Sequence, residues 1–198
     1  LRMKSRISAL VFFSLLIIPF SAYGFTYQID PDHSSFQFKV RHLTVSNVKG
    51  NFSRAKGFVI LDDQNIAHLK VELTIDASSV HTGHTKRDEH LRGADFFDLA
   101  KFPHITFVSK KVTQTDENRL RVVGDLTIRG VTKEVGVDVE GPTPEIKDPW
   151  GGFRRGATGT TRINRKDFGI LWNRVLDTGG VVVGDEVDIS IEIELVRK

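Results

Sequence analysis

The sequence predicts an all-β protein of about eight antiparallel strands, arranged as a barrel or a sandwich. Apolar and polar residues alternate with a period of two over several stretches, of which Val187–Leu195 is the clearest. Each stretch therefore has one apolar and one polar face, as an antiparallel sheet with one buried face requires. Helical and strand patterns do not alternate along the chain, which argues against a nucleotide-binding α/β fold.

Eight segments carry the strand pattern. In chain order they are residues 36–40, 57–61, 69–75, 104–112, 119–128, 135–139, 158–164 and 187–195. Turn signals lie between them, notably Asp62-Asp63, Asp116-Glu117-Asn118 and Arg129-Gly130, since Asx residues and glycine favour tight turns.

Two segments depart from the strand pattern. In Thr85–Ala100, Leu91, Phe96 and Leu99 lie at roughly helical spacing, so we expect one or two short helices there, interrupted near Gly93. Gly141–Gly156 is rich in proline and glycine, and the pattern predicts a long loop.

The N-terminal 24 residues have the layout of a secretory signal peptide. A basic start is followed by an apolar run, Ile7–Phe20, and then by the small residues Ala22 and Gly24. The run has 14 residues, fewer than the roughly 20 that a membrane-crossing helix needs. We therefore expect residues 1–24 to be a cleaved signal, the protein to be periplasmic, and residues 25–198 to form one domain.

Charge and cysteine content exclude several functional classes. Three of the 28 basic residues lie in the first 24 positions, which leaves 25 basic against 25 acidic residues in the rest. A neutral chain gives no indication of a nucleic-acid partner. The absence of cysteine excludes disulfides, thiolate nucleophiles and Cys-based zinc sites. Phosphate-binding and dinucleotide-binding glycine motifs are missing, so no cofactor is expected.

The histidines suggest two minor hypotheses. His81, His84 and His90 lie within ten positions, and imidazole suits zinc, nickel or copper, although the spacing matches no known metalloprotease signature. A polar loop leading to a helix cap explains the same residues. A small barrel hydrolase or isomerase using His33, His42 or the His81–His90 cluster is the enzymatic alternative, but no motif assembles a nucleophile, a base and an oxyanion hole.

Several motifs resemble those of the YceI-like family of exported, lipocalin-like proteins that bind polyisoprenoid lipids. The matching stretches are Tyr27–His42, Val48–Phe52, Ile75–Ser109, Gly124–Val135, Asp148–Asn173 and Val183–Leu195. They cover nearly all of residues 25–198. The sequence departs from the family pattern at His81 and His84, where the family has an acidic residue and an amide or similar polar group.

The resemblance implies an eight-stranded antiparallel lipocalin-like barrel with a helix beside it and a long apolar cavity. The implied ligand is a polyisoprenoid, such as a prenylated quinone precursor, or another long-chain amphiphile. The protein would carry or store it with transient membrane contact, and a homodimer is left open. A stress-induced structural or interaction protein without a ligand is the main alternative.

The apolar faces of the predicted strands supply the candidate cavity lining. Eleven of the 14 phenylalanines follow the predicted signal, and phenylalanine brings a large apolar surface without a polar group. The candidates are Phe36, Phe38, Phe52, Phe58, Leu73, Ile75, Phe107, Ile128, Phe168, Trp172, Ile189 and Ile191. We expect a polar headgroup near His33–Ser35 or Arg154–Arg155.

Overall fold

The computed structural model describes residues 24–177 and 179–198, so the predicted signal peptide, apart from Gly24, lies outside the described residues. The strands are β1 (Phe25–Ile29), β2 (Ser35–His42), β3 (Ser46–Phe52), β4 (Ala55–Leu61), β5 (Lys70–Asp76), β6 (Val80–His81), β7 (His104–Asp116), β8 (Arg119–Ile128), β9 (Val131–Glu140), β10 (Ile146–Lys147), β11 (Phe153–Asn164) and β12 (Val183–Arg197). The helix α1 spans Thr85–Arg92, and 3₁₀ turns span Ile66–His68, Ala77–Ser79 and Arg165–Phe168.

The sheet closes on itself. Antiparallel pairing runs through β9, β8, β7, β5, β4, β1 and β12, and β11 pairs with both β12 and β9. The β11–β12 ladder is long, with eleven residue pairs from Arg154 opposite Val196 to Asn164 opposite Glu186. The β9–β11 ladder has only three pairs, between Asp138–Glu140 and Thr158–Thr160. Closure confirms the predicted antiparallel barrel, because a sandwich would leave two separate sheets.

Three of the eight barrel strands are each broken once. β1 and β2 pair with successive parts of the same edge of β12, Ile29 opposite Leu195 and Ser35 opposite Glu192. β4 pairs with β1, and β3 pairs with β2, so β3 and β4 form the matching broken strand. β5 pairs with β4 and β6 pairs with β3, so β5 and β6 form a third broken strand. Counting each broken pair once, and leaving out the two-residue strand β10, gives the eight strands that the sequence predicts.

The two ends of the barrel carry different connections. One end, the helix end, holds the β2–β3 turn at residues 43–45, α1, and the segment from Arg165 to Val182. The other end, the loop end, holds residues 62–69 and 141–152. Helix α1 begins after His84, whose ring accepts the Arg87 N–H, and ends at Gly93. No helix in the described ranges has the length and apolar character needed to cross a membrane.

Four strands of the structure, β1, β3, β6 and β10, lie outside the eight predicted segments. The sequence does not predict β3 because its inner face carries Gly50 in place of an apolar side chain, which interrupts the alternation. The Phe38 ring packs against this glycine. The predicted loop Gly141–Gly156 contains the β10–β11 hairpin, so β11 starts at Phe153. Its turn is held by Asp148, whose carboxylate accepts the backbone N–H groups of Trp150 and Gly152.

Two glycines on the barrel wall let neighbouring groups approach closely. A Cβ at Gly57 would lie 2.2 Å from the carbonyl oxygen of Glu72 on the neighbouring β5. A Cβ at Gly124 would lie 2.6 Å from the Phe107 ring, which covers that glycine. Backbone on an adjacent strand cannot move aside without disturbing the ladder, so the absence of a side chain at Gly57 is a structural requirement.

Gly57→Ala is expected to reduce the free energy of unfolding by about 1–3 kcal/mol, the usual range for overpacking a core. The matched control is Gly156→Ala in β11, where the nearest atoms to a new Cβ are 3.8 Å away. We expect the control to change stability by less than about 0.5 kcal/mol. Urea denaturation followed by circular dichroism measures both, and equal losses would refute the close-approach explanation.

Candidate functional site

The barrel encloses an apolar cavity of about 260 Å³. Its wall is made by the inward-facing residues of the barrel strands, joined at the helix end by residues from the α1 segment. Arg165 is the only ionisable side chain among the described residues that line it, and the other polar side chains on the wall are Gln37 and three threonines. An apolar cavity of this kind excludes water and accepts apolar guests.

Ten of the twelve predicted lining residues lie on the cavity wall. They are Phe36, Phe38, Phe52, Leu73, Ile75, Phe107, Ile128, Phe168, Ile189 and Ile191. They come together because residues of equal parity on a strand share one face, and closure turns all these faces inward.

Phe58 and Trp172 lie elsewhere, contrary to the expectation. In β4 the inward positions are Val59 and Leu61, so the adjacent Phe58 points to the outer face. Trp172 packs edge-to-face against the His90 ring, with centroids 5.0 Å apart, and also contacts Phe96. It therefore belongs to the outer side of the helix end.

The wall also includes residues that the sequence interpretation did not name. β8 and β9 contribute buried or half-buried aliphatic residues at alternate positions. One leucine of α1 and two phenylalanines that follow the helix also line the cavity. These residues are Leu120, Val122, Leu126, Val135, Val137, Val139, Leu91, Phe96 and Phe97. Alternation marked the face in β9, but no periodic signal linked Phe96 and Phe97 to the barrel interior.

The loop end of the cavity is closed by a hydrogen-bond network. Tyr27 is fully buried, and its hydroxyl donates to Glu145 Oε2 at 2.5 Å and accepts from Arg155 Nε at 3.1 Å. Arg155 also binds both carboxylate oxygens of Asp63. Burial, followed by the bond to Glu145, raises the pKa of Tyr27. The phenol thus stays a neutral donor and ties the 141–152 loop over the barrel.

On one side of the helix end, β2 and the residues around α1 share the cavity wall. Phe38 and Val40 of β2 and Leu91 and Phe97 of the α1 segment line the cavity yet are only half-buried. We call these four residues the mouth. The opposite side of the same end is sealed by fully buried residues such as Phe168. We take the mouth as the candidate entrance to the cavity, because the Tyr27 network closes the loop end.

Arg165 fixes the backbone of residues 170–172 at the helix end, and we call this stretch the floor. The side chain is 4% exposed, and its guanidinium donates to the carbonyl oxygens of Ile170 (2.6 Å), Trp172 (2.9 Å) and Gly184 (2.8 Å). Burial lowers the pKa of Arg165, and the Asp185 carboxylate at 3.2 Å opposes that shift. Most of the Arg165 donors bond to backbone carbonyl oxygens, so this side chain fixes the position of the floor.

The three clustered histidines have separate roles. His81 Nδ1 lies 3.3 Å from Asp88 Oδ2, His84 caps α1, and His90 Nε2 lies 2.9 Å from Asp95 Oδ2. The three imidazoles do not converge on a common point in the described structure, where the one metal-like grouping is Asp30, His33 and Glu194. None of these histidines, nor His42, lies on the cavity wall.

The regions suggested for a headgroup, His33–Ser35 and Arg154–Arg155, also lie off the wall. His33 Nδ1 is 3.0 Å from Asp30, and Arg154 bonds to Asp30, Asp148 and Glu194. The Arg154 guanidinium thus supplies the positive charge among these carboxylates. The bond to His33 and then that from Arg154 lower the pKa of Asp30 to about 2.

Asp30→Asn is expected to lower the free energy of unfolding at pH 5 by about 1–2 kcal/mol. The folded-state pKa of Asp30 lies below its unfolded value, so its contribution is present above pH ~4 and is lost as the pH falls toward 2. Asp30 raises the pKa of His33, and that contribution fades as the pH rises through the raised value.

Urea denaturation at several pH values between 2 and 8 measures this effect, with the exposed neighbour Asp32→Asn as control. A constant difference between wild type and Asp30→Asn across pH 2–5 would contradict the assignment.

Arg165→Met is expected to destabilise the fold by about 3 kcal/mol, because it removes the donors for several buried carbonyls at about 1–3 kcal/mol each. The control Lys166→Met removes an exposed ion pair with Asp185 and should cost less than about 1 kcal/mol. Chemical denaturation compares them, and a small loss for Arg165→Met would show that the floor does not depend on this side chain.

Comparison with known sequences gives consistent matches over the whole barrel. Residues 27–195 match the profile of the YceI-like domain. A UPF0312 protein of Vibrio cholerae is 38% identical over 198 residues, covering 99% of this chain and 100% of that protein. A UPF0312 protein of Shewanella denitrificans is 37% identical over 192 residues, covering 96% and 98%.

Solved structures share the architecture. BcnA of Burkholderia cenocepacia superposes with a TM-score of 0.71 at 26% identity, over 84% of this chain and 98% of that chain. The YCEI protein of Campylobacter jejuni gives 0.67 at 33% identity, over 80% and 90%. A polyisoprenoid binding domain from Saccharophagus degradans gives 0.64 over 88% and 99%, and its 15% identity makes this a likeness of fold alone.

Proposed function

Because the chain belongs to the YceI-like family, we propose that it binds a polyisoprenoid lipid in the barrel and carries or stores it in the periplasm. The observation that carries this proposal is the cavity wall. Within the described residues it is apolar almost throughout and has a single ionisable side chain, Arg165, which is already engaged with the backbone.

The cavity suits an apolar chain better than a compact polar ligand. An engineered apolar cavity of about 150 Å³ accommodates one benzene ring, and this cavity of about 260 Å³ has room for a longer guest. Each CH₂ transferred from water contributes about 0.8 kcal/mol. Each isoprene unit has five carbons, so each unit that the cavity holds would gain about 4 kcal/mol before binding costs. A polyisoprenoid-binding domain with the same fold supports this ligand class.

Binding, and not catalysis, is the role that the wall favours. General acid–base or nucleophilic chemistry needs ionisable groups within hydrogen-bond reach of the bound molecule. Among the described residues, His33, His42 and the His81–His90 cluster all lie off the cavity wall. Arg165 remains, and its bonds to carbonyl oxygens suit a structural role.

Release of such a ligand would depend on a bilayer. Transfer of the tail into water would lose the whole hydrophobic gain, whereas lipid acyl chains are about as apolar as the cavity. The transfer terms then nearly cancel. The expected export signal in residues 1–24 would place this exchange in the periplasm, where soluble carriers can meet a membrane.

Organic extraction and mass spectrometry of protein purified under mild conditions test this function. We expect a polyisoprenoid from the wild type and its loss from Ile191→Trp, because the larger apolar side chain fills the cavity from a half-buried wall position. The matched control is Ser190→Trp, which places the same side chain on the outer face of β12 and should keep the ligand.

Melting temperatures verify that both variants fold. Recovery of only ordinary phospholipid, or of nothing, from the wild type would refute the proposal, as would equal ligand content in Ile191→Trp.

A further inference from the structure

Four exposed aliphatic side chains cluster on two loops at the helix end. Val45 is 75% exposed on the β2–β3 turn, and Leu171, Val175 and Val181 are 65%, 80% and 39% exposed on the segment before β12. The loops are joined, because the Leu43 N–H donates to the Val182 carbonyl at 2.9 Å and Val175 bridges Val181. We call these four residues the apolar tip.

The sequence around the tip is unusually poor in charge. Residues 43–46 and 169–182 contain one arginine and one aspartate, Arg174 and Asp177, in a protein whose residues are 27% charged. Surface loops are normally polar, and large exposed aliphatic groups next to one another mark a contact surface. Few charges need to be desolvated if this end enters an apolar phase.

The tip is continuous with the cavity. Ile170 and Val183, which flank the tip residues in sequence, line the cavity, and Val183 pairs with His42 at the end of β2. Val40, two positions before His42, belongs to the mouth. The apolar tip therefore adjoins the cavity wall through Ile170 and Val183.

The loop end offers exposed apolar residues without access to the cavity. Trp150 is 86% exposed and Ile146 is also exposed, but the Tyr27–Glu145–Arg155 network closes that end. Phe25 lies beneath the Arg197 guanidinium, 4.7 Å from the ring centroid. These residues provide a matched control surface at the opposite end of the barrel.

We propose that the apolar tip docks on a lipid bilayer and places the mouth against the membrane. This inference rests on the proposed function, since a cargo that cannot cross water must pass between two apolar phases in contact. The bilayer is the occupant that fits, because it matches the protruding aliphatic side chains and also supplies or receives the cargo.

Site-specific fluorescence tests the docking geometry. The chain has no cysteine, so Val175→Cys and Ile146→Cys each place one polarity-sensitive label at opposite ends. Both proteins are purified from the periplasm as processed chains with the same N-terminus. With vesicles of phosphatidylcholine and phosphatidylglycerol, we expect a blue shift at position 175 and none at 146. A shift at 146 alone, or at neither position, would overturn the proposal.

Lipid transfer separates docking from binding. In Val45→Asp/Val175→Asp, transfer of a fluorescent polyprenyl lipid from vesicles should slow by at least about tenfold, the effect of losing one buried aliphatic side chain. Equilibrium binding of the same lipid delivered from ethanol should be unchanged. The control Ile146→Asp/Trp150→Asp should transfer at the wild-type rate.

The two failures are distinguishable. A wild-type protein that does not bind the ethanol-delivered lipid would refute the proposed function. A wild-type protein that binds it, with tip variants that transfer at the wild-type rate, would refute docking alone.

Discussion

The pairing of β11 with β12 is the constraint on which the rest of the structure depends. Eleven residue pairs join the last barrel strand to its neighbour, and this ladder converts a long sheet into a closed barrel. Closure turns the inward positions of all the barrel strands toward one shared interior. The cavity, the alternating burial and the placement of the phenylalanines all follow from that closure.

The two ends of the barrel differ in the hydrogen bonds that satisfy their polar groups. At the loop end, Tyr27, Glu145 and Arg155 exchange hydrogen bonds, so the polar groups that cross the barrel are satisfied. At the helix end, Arg165 satisfies backbone carbonyls of the floor and leaves the β2–α1 side free. One closed end and one mouth suit an amphiphile whose tail enters first, because an opening at both ends would admit water along the tail.

Side-chain size decides where the barrel is packed and where it is hollow. Near the loop end, Tyr27, Leu61 and Leu195 are almost completely buried and fill the interior. Along the middle of β12, Ile189 and Ile191 remain half-buried although they face inward, and Gly159 of β11 stands opposite Ile191. Burial thus falls from the packed loop end toward the middle of β12, where the inward residues border the cavity.

The alternation of apolar and polar residues is enough to assign the apolar face of each strand, because a period of two sets which positions share a face without reference to any neighbouring strand. For that reason the antiparallel class and the family resemblance could be predicted, and ten of the twelve candidate residues lie on the wall. The prediction for Phe58 was wrong because it rested on the residue type. The alternation in β4 places Val59 and Leu61, and not Phe58, on the inward face. Only the folded chain shows that Phe96 and Phe97 reach the cavity wall and that the clustered histidines lie apart, each with its own partner. These features depend on how a helix and loops dock across barrel strands distant in sequence, and local periodicity carries no information about such long-range packing.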